Sequence, residues 1–390
     1  MSENGPAEAL LRYEIGPIRP PSEAYSLLVR FTRNCPWNKC EFCHLYKGTK
    51  FERRPLADIK KDIDAIKAIQ SRIVALSWQR GAGGKVSQSL AQEIFAAPRY
   101  NDFFKSVAVW LYFGAGNVFI QDANSLVMKK EDFVEALRYL RKAFPTIDRI
   151  TCYARSQTIA QLYTVDDLKI LKEAGLTRLH LGLETGSDFL LRYMRKGTTK
   201  EQHIMAGRRI KESGIELSEY VIAGLGGKTW WREHALETAD ALNRIDPDFI
   251  RIRTLKVTRS MLLHRKVESG EFVLERDEEI LAELRLFIEH LEGIGSFIKS
   301  DHILNLLEEV EGKLPEDKKK ILSVIDRYFA LSEEQRLVYR MGRRAGVYRS
   351  TDDLSDATTY GRIERAIREM EEKEPGSVEQ HLSLLLETYI

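Results

Sequence analysis

The 390-residue sequence predicts an α/β fold, a parallel sheet with helices outside it, either doubly wound or curled into a partial barrel and followed by a helical C-terminal extension. Three observations carry this expectation. Six strand-like segments lie between Tyr25 and Val257, with helical patterns between them. In two of these strands apolar and polar residues alternate, as when one face packs on helices and the other meets a polar interior. From about Arg276 onward the pattern is nearly all helical.

In chain order, residues 1–24 form a lead-in, because Gly16-Pro17-Ile18-Arg19-Pro20-Pro21 interrupts any regular helix. Residues 25–32 read as the first strand, ending at a cysteine-rich loop. A helix follows at 56–70, with Ile59, Ile63 and Ile66 on one stripe. Residues 74–113 hold a Gly-rich turn at 81–84, a short helix and an apolar segment at 107–113. Strands are then expected at 117–122, 148–153, 177–184, 215–223 and 248–257, and helices at 130–143, 165–174, 200–213 and 231–244. Gly175 stands where a helix of this kind takes its left-handed cap. The resulting organisation is a lead-in at 1–24, a core at 25–258 and a helical extension at 259–390.

The alternation within strands is specific. Leu179, Leu181 and Leu183 share one face, against Arg178, His180, Gly182 and Glu184 on the other. Ile250 and Ile252 oppose Arg251 and Arg253 in the same way. The repeat points to a hydrated, cationic interior suited to an anionic ligand.

With 43% hydrophobic and 30% charged residues, the chain can bury a full core. No apolar run approaches the roughly 20 residues of a membrane span. Residues 1–8 are polar, with no apolar stretch behind them, so a cytoplasmic protein with reduced thiols is expected. A net charge of +2 gives no global attraction for nucleic acid, leaving only local basic patches.

Three of the four cysteines, Cys35, Cys40 and Cys43, stand in Asn34-Cys-Pro-Trp-Asn-Lys-Cys-Glu-Phe-Cys43. Closely spaced thiolates suit iron or another soft metal. Structural zinc takes four protein ligands, and no fourth cysteine or histidine pair stands at finger-like distance. A four-iron cluster held by three cysteines leaves one iron open. His44 directly follows Cys43 and reads as a loop residue, because adjacent residues cannot easily ligate one ion. Two Gly-rich runs, Gly224-Leu-Gly-Gly-Lys-Thr229 and Gly114-Ala-Gly116, miss nucleotide-loop spacing at Ile222 and Phe119 and read as turns at strand ends.

These residues resemble the radical SAM superfamily over residues 25–258. Its members carry C-x3-C-x2-C after the first strand of a partial six-stranded barrel; here the first gap is one residue longer. Phe42, before the third cysteine, and Leu181-Gly-Leu-Glu-Thr-Gly-Ser-Asp188 are similar to the branch holding Elongator-type, methylthiotransferase-type and coproporphyrinogen-oxidase-type members. The resemblance implies a partial (β/α)6 barrel whose Cys35, Cys40 and Cys43 hold one [4Fe-4S] cluster, with S-adenosylmethionine chelating the open iron. It implies cleavage to a 5′-deoxyadenosyl radical that takes hydrogen from a small or medium polar substrate, anionic if the cationic interior receives it. Phe42 would lie beside the adenine, Asp122 would accept from the methionine amino group, and Glu184 would face the ribose or methionine end. Arg195, or its neighbour Lys196, would meet the carboxylate, and the turn at Gly224 would lie near adenine. Oxygen-free operation and an electron donor such as a flavodoxin or ferredoxin are further implications.

Cys152 alone remains, so a second cluster lacks ligands, and Cys152 reads as a core residue. No cobalamin-binding domain fits ahead of residue 25, and no acetyltransferase-like segment is evident behind the barrel. In Phe297-Ile-Lys-Ser-Asp-His-Ile-Leu-Asn305 a helix start is expected, with Ser300 or Asp301 capping it and His302 and Asn305 offered to substrate as catalytic candidates. Arg340, Arg343, Arg344 and Arg349, with Tyr348 among them, form a basic stretch that binds phosphate or carboxylate or is a solvated helix end. The alternatives to the leading reading are an RNA-modifying radical SAM enzyme using that stretch and a zinc-stabilised binding module.

Overall fold

A computed structural model describes residues 11–387, so the expectation about residues 1–8 lies outside the described part. The strands are β1 (Leu27–Arg30), β2 (Thr32–Arg33), β3 (Glu52–Arg53), β4 (Asn117–Gln121), β5 (Arg149–Ala154), β6 (Arg178–Glu184), β7 (Glu216–Ala223), β8 (Phe249–Thr254), β9 (Phe297–Lys299) and β10 (Gly312–Lys313). The helices of the first half are α1 (Leu56–Gln79), α2 (Gln88–Ala96), α3 (Asp102–Tyr112), α4 (Lys130–Ala143), α5 (Ser156–Leu162), α6 (Val165–Ala174), α7 (Asp188–Tyr193) and α8 (Lys200–Ser213). Then come α9 (Gly227–Ile245), α10 (Leu263–Glu268), α11 (Asp277–Glu289), α12 (Lys318–Ala330), α13 (Glu333–Arg344), α14 (Ala357–Lys373) and α15 (Ser377–Glu387). The predicted α/β architecture, with parallel strands and helices between them, is the one observed.

The chain divides into two compact units. The first comprises Met1–Lys39, Leu45–Gly182 and Met205–Leu217. Here β1, β4, β5 and β6 pair in parallel in chain order, with Leu27 opposite Val118, Ile120 opposite Cys152 and Cys152 opposite Leu179. Helix α1 buries Ile59, Ile63, Ile66, Ile69 and Ile73, and this stripe carries it past the predicted end at 70. Burying each isoleucine contributes at most about 1.5–3 kcal/mol. The apolar 107–113 segment lies largely within α3, whose start is capped by Asn101 Oδ1 accepting from Phe104 N–H at 2.9 Å. Helix α6 has the predicted bounds, a Thr164/Asp167 capping box and Gly175 at φ 120° as its stop.

One expectation fails in this unit. The polar face of β6 is closed at His180, which is fully buried, 5.6 Å from the Tyr153 ring and 6.4 Å from that of Phe119, with Nε2 3.9 Å from Glu23. The aromatic rings of Phe119 on β4 and Tyr153 on β5 pack beside it, where alternation alone implied a hydrated interior.

The second unit comprises Cys40–His44, Leu183–Ile204 and Ser218–Ile390. Strands β7, β8 and β9 are parallel neighbours, and β10 closes antiparallel on β9. The extension is therefore not all helical, because Phe297–Lys299 finds the open edge of β8. No helix starts at 297–305, which corrects the prediction for that run. Helix α9 packs on α11 and α11 on α12, while α13, α14 and α15 pack on one another.

Candidate functional site

In the first unit the cysteine loop leaves β2 through Asn34, whose φ of 68° turns the chain sharply. The turn is fixed by Asp122, the residue after β4. Its Oδ2 accepts from Arg30 Nε at 2.6 Å and from the Asn34 N–H at 3.1 Å, and its Oδ1 accepts from Tyr46 Oη at 3.0 Å. Burial, then the Asp122 charge, drives the Tyr46 hydroxyl far above its ordinary value, so it stays a donor. Glu14 accepts from Arg30 Nη1 at 2.9 Å and Arg33 Nη2 at 2.6 Å, adding a second carboxylate to the cradle. The Asn38 N–H donates to Cys35 Sγ at 3.4 Å, and the Asn38 side-chain amide donates to the Tyr46 carbonyl. Asp122 is thus engaged on both oxygens in shaping the loop.

In the second unit the residues around Cys40 and Cys43 are stitched by main chain. The Glu41 N–H donates to the Met194 carbonyl and the Leu263 N–H donates to the Glu41 carbonyl, each at 3.0 Å. Phe42 packs on the buried cluster of Met194, Leu225, Leu263 and Phe272, with Lys196 Nζ 5.8 Å from its ring centroid.

Glu184, with φ 64°, ends β6. It accepts from Lys196 Nζ at 2.7 Å, so one of the two cations offered for the ligand carboxylate meets Glu184. Arg195 turns the chain at φ 53°. Glu219 is fully buried on β7, and burial, then the Glu184 charge, raises its carboxyl well above the usual range. Glu219 was not singled out from the sequence, although a charged residue amid Leu217, Val221 and Ile222 is a visible signal.

The Leu181–Asp188 signature has structural reasons too. A Cβ on Gly186 would come within 2.1 Å of the Glu237 carbonyl oxygen, and Ser187 caps α7. Gly224, at φ 83°, gives its N–H to Glu283 Oε1 at 2.8 Å.

Among the described residues seven non-glycine residues have positive φ, and five are Asn34, Asn38, Asp122, Glu184 and Arg195. Such conformations concentrate where function requires a fixed, unusual backbone. No three His, Cys, Asp or Glu side chains among the described residues are gathered closely enough to hold a metal ion. The fit of an iron–sulfur cluster rests on donor chemistry: Cys35, Cys40 and Cys43 are half-buried thiols, none in a disulfide, with an amide already directed at Cys35 sulfur. Cys152 is buried in the core, and burial raises its thiol.

None of Asp301, His302 and Asn305 sits at the expected helix start. Asn305 is committed to the fold, donating to the Ile252 carbonyl and Ser300 Oγ and accepting from Thr254 Oγ1, each at 3.0 Å. His302 lies in a turn rather than at a helix start; burial first and the Arg253 charge second lower it to about 4, so it is neutral near pH 7. Asp301 caps nothing and pairs with Arg251 and Arg253. The basic stretch turns largely inward: Arg340 and Arg344 bind Asp277, and Arg343 binds Glu308 and the Leu306 carbonyl, leaving Arg349 exposed.

Residues 112–239 match the model of the Radical SAM superfamily. The chain is 26% identical over 121 residues to a tRNA uridine(34) acetyltransferase of Methanocaldococcus jannaschii, covering 30% of this chain and 21% of that protein. It is 28% identical over 134 residues to the heme chaperone HemW of Bacillus subtilis, covering 34% and 35%. The matches thus span about a third of this chain and about a fifth to a third of those relatives. Coproporphyrinogen III oxidase (HemN) from Escherichia coli is a solved neighbour at 15% identity and a TM-score of 0.42, covering 68% of this chain and 52% of that one.

Proposed function

We propose that the chain is a radical SAM enzyme that cleaves S-adenosylmethionine reductively, with Cys35, Cys40 and Cys43 holding one [4Fe-4S] cluster. The observation that carries this reading is the agreement of two separate segments: the cysteine triplet lies at 35–43 and the family match at 112–239. Bound together, the cluster and S-adenosylmethionine would supply a one-electron break of the C5′–S bond, giving methionine and a 5′-deoxyadenosyl radical that takes a hydrogen atom from the substrate.

The protein's own residues prepare for that chemistry. Asp122, Arg30 and Tyr46 set the exit of the cysteine loop, and the Glu41 main chain sets the segment of Cys40 and Cys43. Lys196 and Glu184 offer a cation and a carboxylate to a zwitterionic ligand, and burial raises the Glu219 carboxyl beside them. Cofactor contacts by Phe42, Asp122, Arg195 and Gly224, an electron donor of the flavodoxin or ferredoxin kind, a cytoplasmic location, oxygen-free operation and the division at 25–258 and 259–390 belong to this proposal.

The test is anaerobic reconstitution with iron and sulfide, then reduction with S-adenosylmethionine and chromatography of the products. 5′-Deoxyadenosine is expected from the wild type, with none from Cys35→Ala, Cys40→Ala or Cys43→Ala. A colourless protein holding zinc, or cysteine variants that still form the product, would sink the reading. A second reading, RNA modification, is favoured by the tRNA-directed activity of the Methanocaldococcus relative. It requires RNA binding that weakens steeply with salt, and no binding at low salt removes it.

A further inference from the structure

Strand β8 places Arg251 and Arg253 on one face, and the chain leaving β9 brings Asp301 to both. Asp301 Oδ2 accepts from Arg251 Nη1 at 2.8 Å, and Oδ1 accepts from Arg253 Nη1 at 3.1 Å. Arg251 also donates from Nε to Ser218 Oγ at 3.1 Å, and Arg253 from Nη1 to the Ile252 carbonyl at 3.0 Å. The Tyr220 ring lies 4.8 Å from the Arg253 guanidinium carbon, holding its plane. The side chains of Arg251 and Arg253 are 5% and 14% exposed.

Two guanidiniums therefore share one carboxylate, and neutral His302 adds nothing to the balance. Nη2 of Arg253 is buried and meets no acceptor. A buried donor on a cation is costly to leave unmatched, and a guanidinium edge suits the oxygens of a carboxylate or phosphate. We propose that Arg253, backed by Arg251 and tuned by Asp301, is a subsite for a carboxylate or phosphate group of the substrate. The assignment of that group to a substrate rests on the function proposed above; the anion site itself does not.

The experiment is titration calorimetry of the reconstituted 390-residue chain with sodium phosphate and with sodium acetate, at ionic strength held constant with sodium chloride. One anion per chain is expected to bind. Arg253→Lys, which keeps the charge but loses the planar fork, should weaken binding by about tenfold or more, and Asp301→Asn, which removes the internal competitor, should tighten it by about tenfold. The gain in Asp301→Asn guards against misfolding, since an unfolded variant does not bind more tightly. Phosphate binding without acetate assigns a phosphate group, and the reverse assigns a carboxylate. No binding of either anion to the wild type, or unchanged affinity in Arg253→Lys, overturns the subsite. Absence of 5′-deoxyadenosine from the wild type would instead remove the radical reading and leave the calorimetric result standing.

Discussion

Glu275 and Asp277 stand two residues apart, both half-buried, and their carboxyls move in opposite directions. Asp277 accepts from Arg340 Nε at 3.0 Å and Arg344 Nη2 at 2.7 Å. Burial alone would raise it, but these guanidiniums hold it below the usual range. Glu275 is pushed up to about 7, first by burial, and fully withdrawn Glu283 is raised well above the usual range by burial and then by the Glu275 charge. The nearby cation, Lys228, is drawn to Glu279 at 2.6 Å. Burial penalises every carboxylate here; the cation within reach decides which ones ionise.

The largest effect expected from this contrast is in Asp277→Asn, which leaves Arg344 buried without its carboxylate and should lose about 3–5 kcal/mol in urea unfolding. A loss below about 1 kcal/mol would show the pair to be no stronger than a surface one. The pH dependence sharpens the comparison further. Asp277 lies below its ordinary value in the fold, so its contribution is present above that value and is lost as pH falls through the folded one. Glu275 lies above its ordinary 4.5, so its contribution is complete below that value and is lost as pH rises through about 7. Glu283→Gln should therefore stabilise the protein at pH 8 by about 1–2 kcal/mol and flatten the melting temperature between pH 5 and pH 8. An unchanged slope would break the contrast at its acidic pair. The smallest effect is expected at Cys152, a buried neutral side chain. Cys152→Ala should cost about 1 kcal/mol at every pH, with iron content after reconstitution unaltered; lost iron would contradict its core role.

The same contrast explains what the sequence could convey. Helices α4, α6 and α8 have the predicted bounds because their apolar periodicity is strong and their neighbours are turns. The seven residues of α5, the six of α7 and the three of β9 are too short for periodicity to register. The cysteine triplet was legible because its spacing is local. The role of Asp122 was not, because its partners Arg30, Asn34 and Tyr46 are 92, 88 and 76 residues away in sequence. Arg340, Arg343 and Arg344 looked like a surface patch because a one-dimensional pattern cannot say which way a long side chain turns. Asp277 and Glu308, far upstream, turn them inward.

The left-handed backbone at Asn38, Asp122, Glu184 and Arg195 limits which residues these positions admit before any chemistry is considered. Asparagine, aspartate and glycine enter that region at small cost, and β-branched residues hardly at all. A set of homologues compared at these positions would therefore read out turn geometry first. Invariance there would be a statement about steric tolerance, and only an exchange between two residues equally able to hold the turn would speak to ligand recognition.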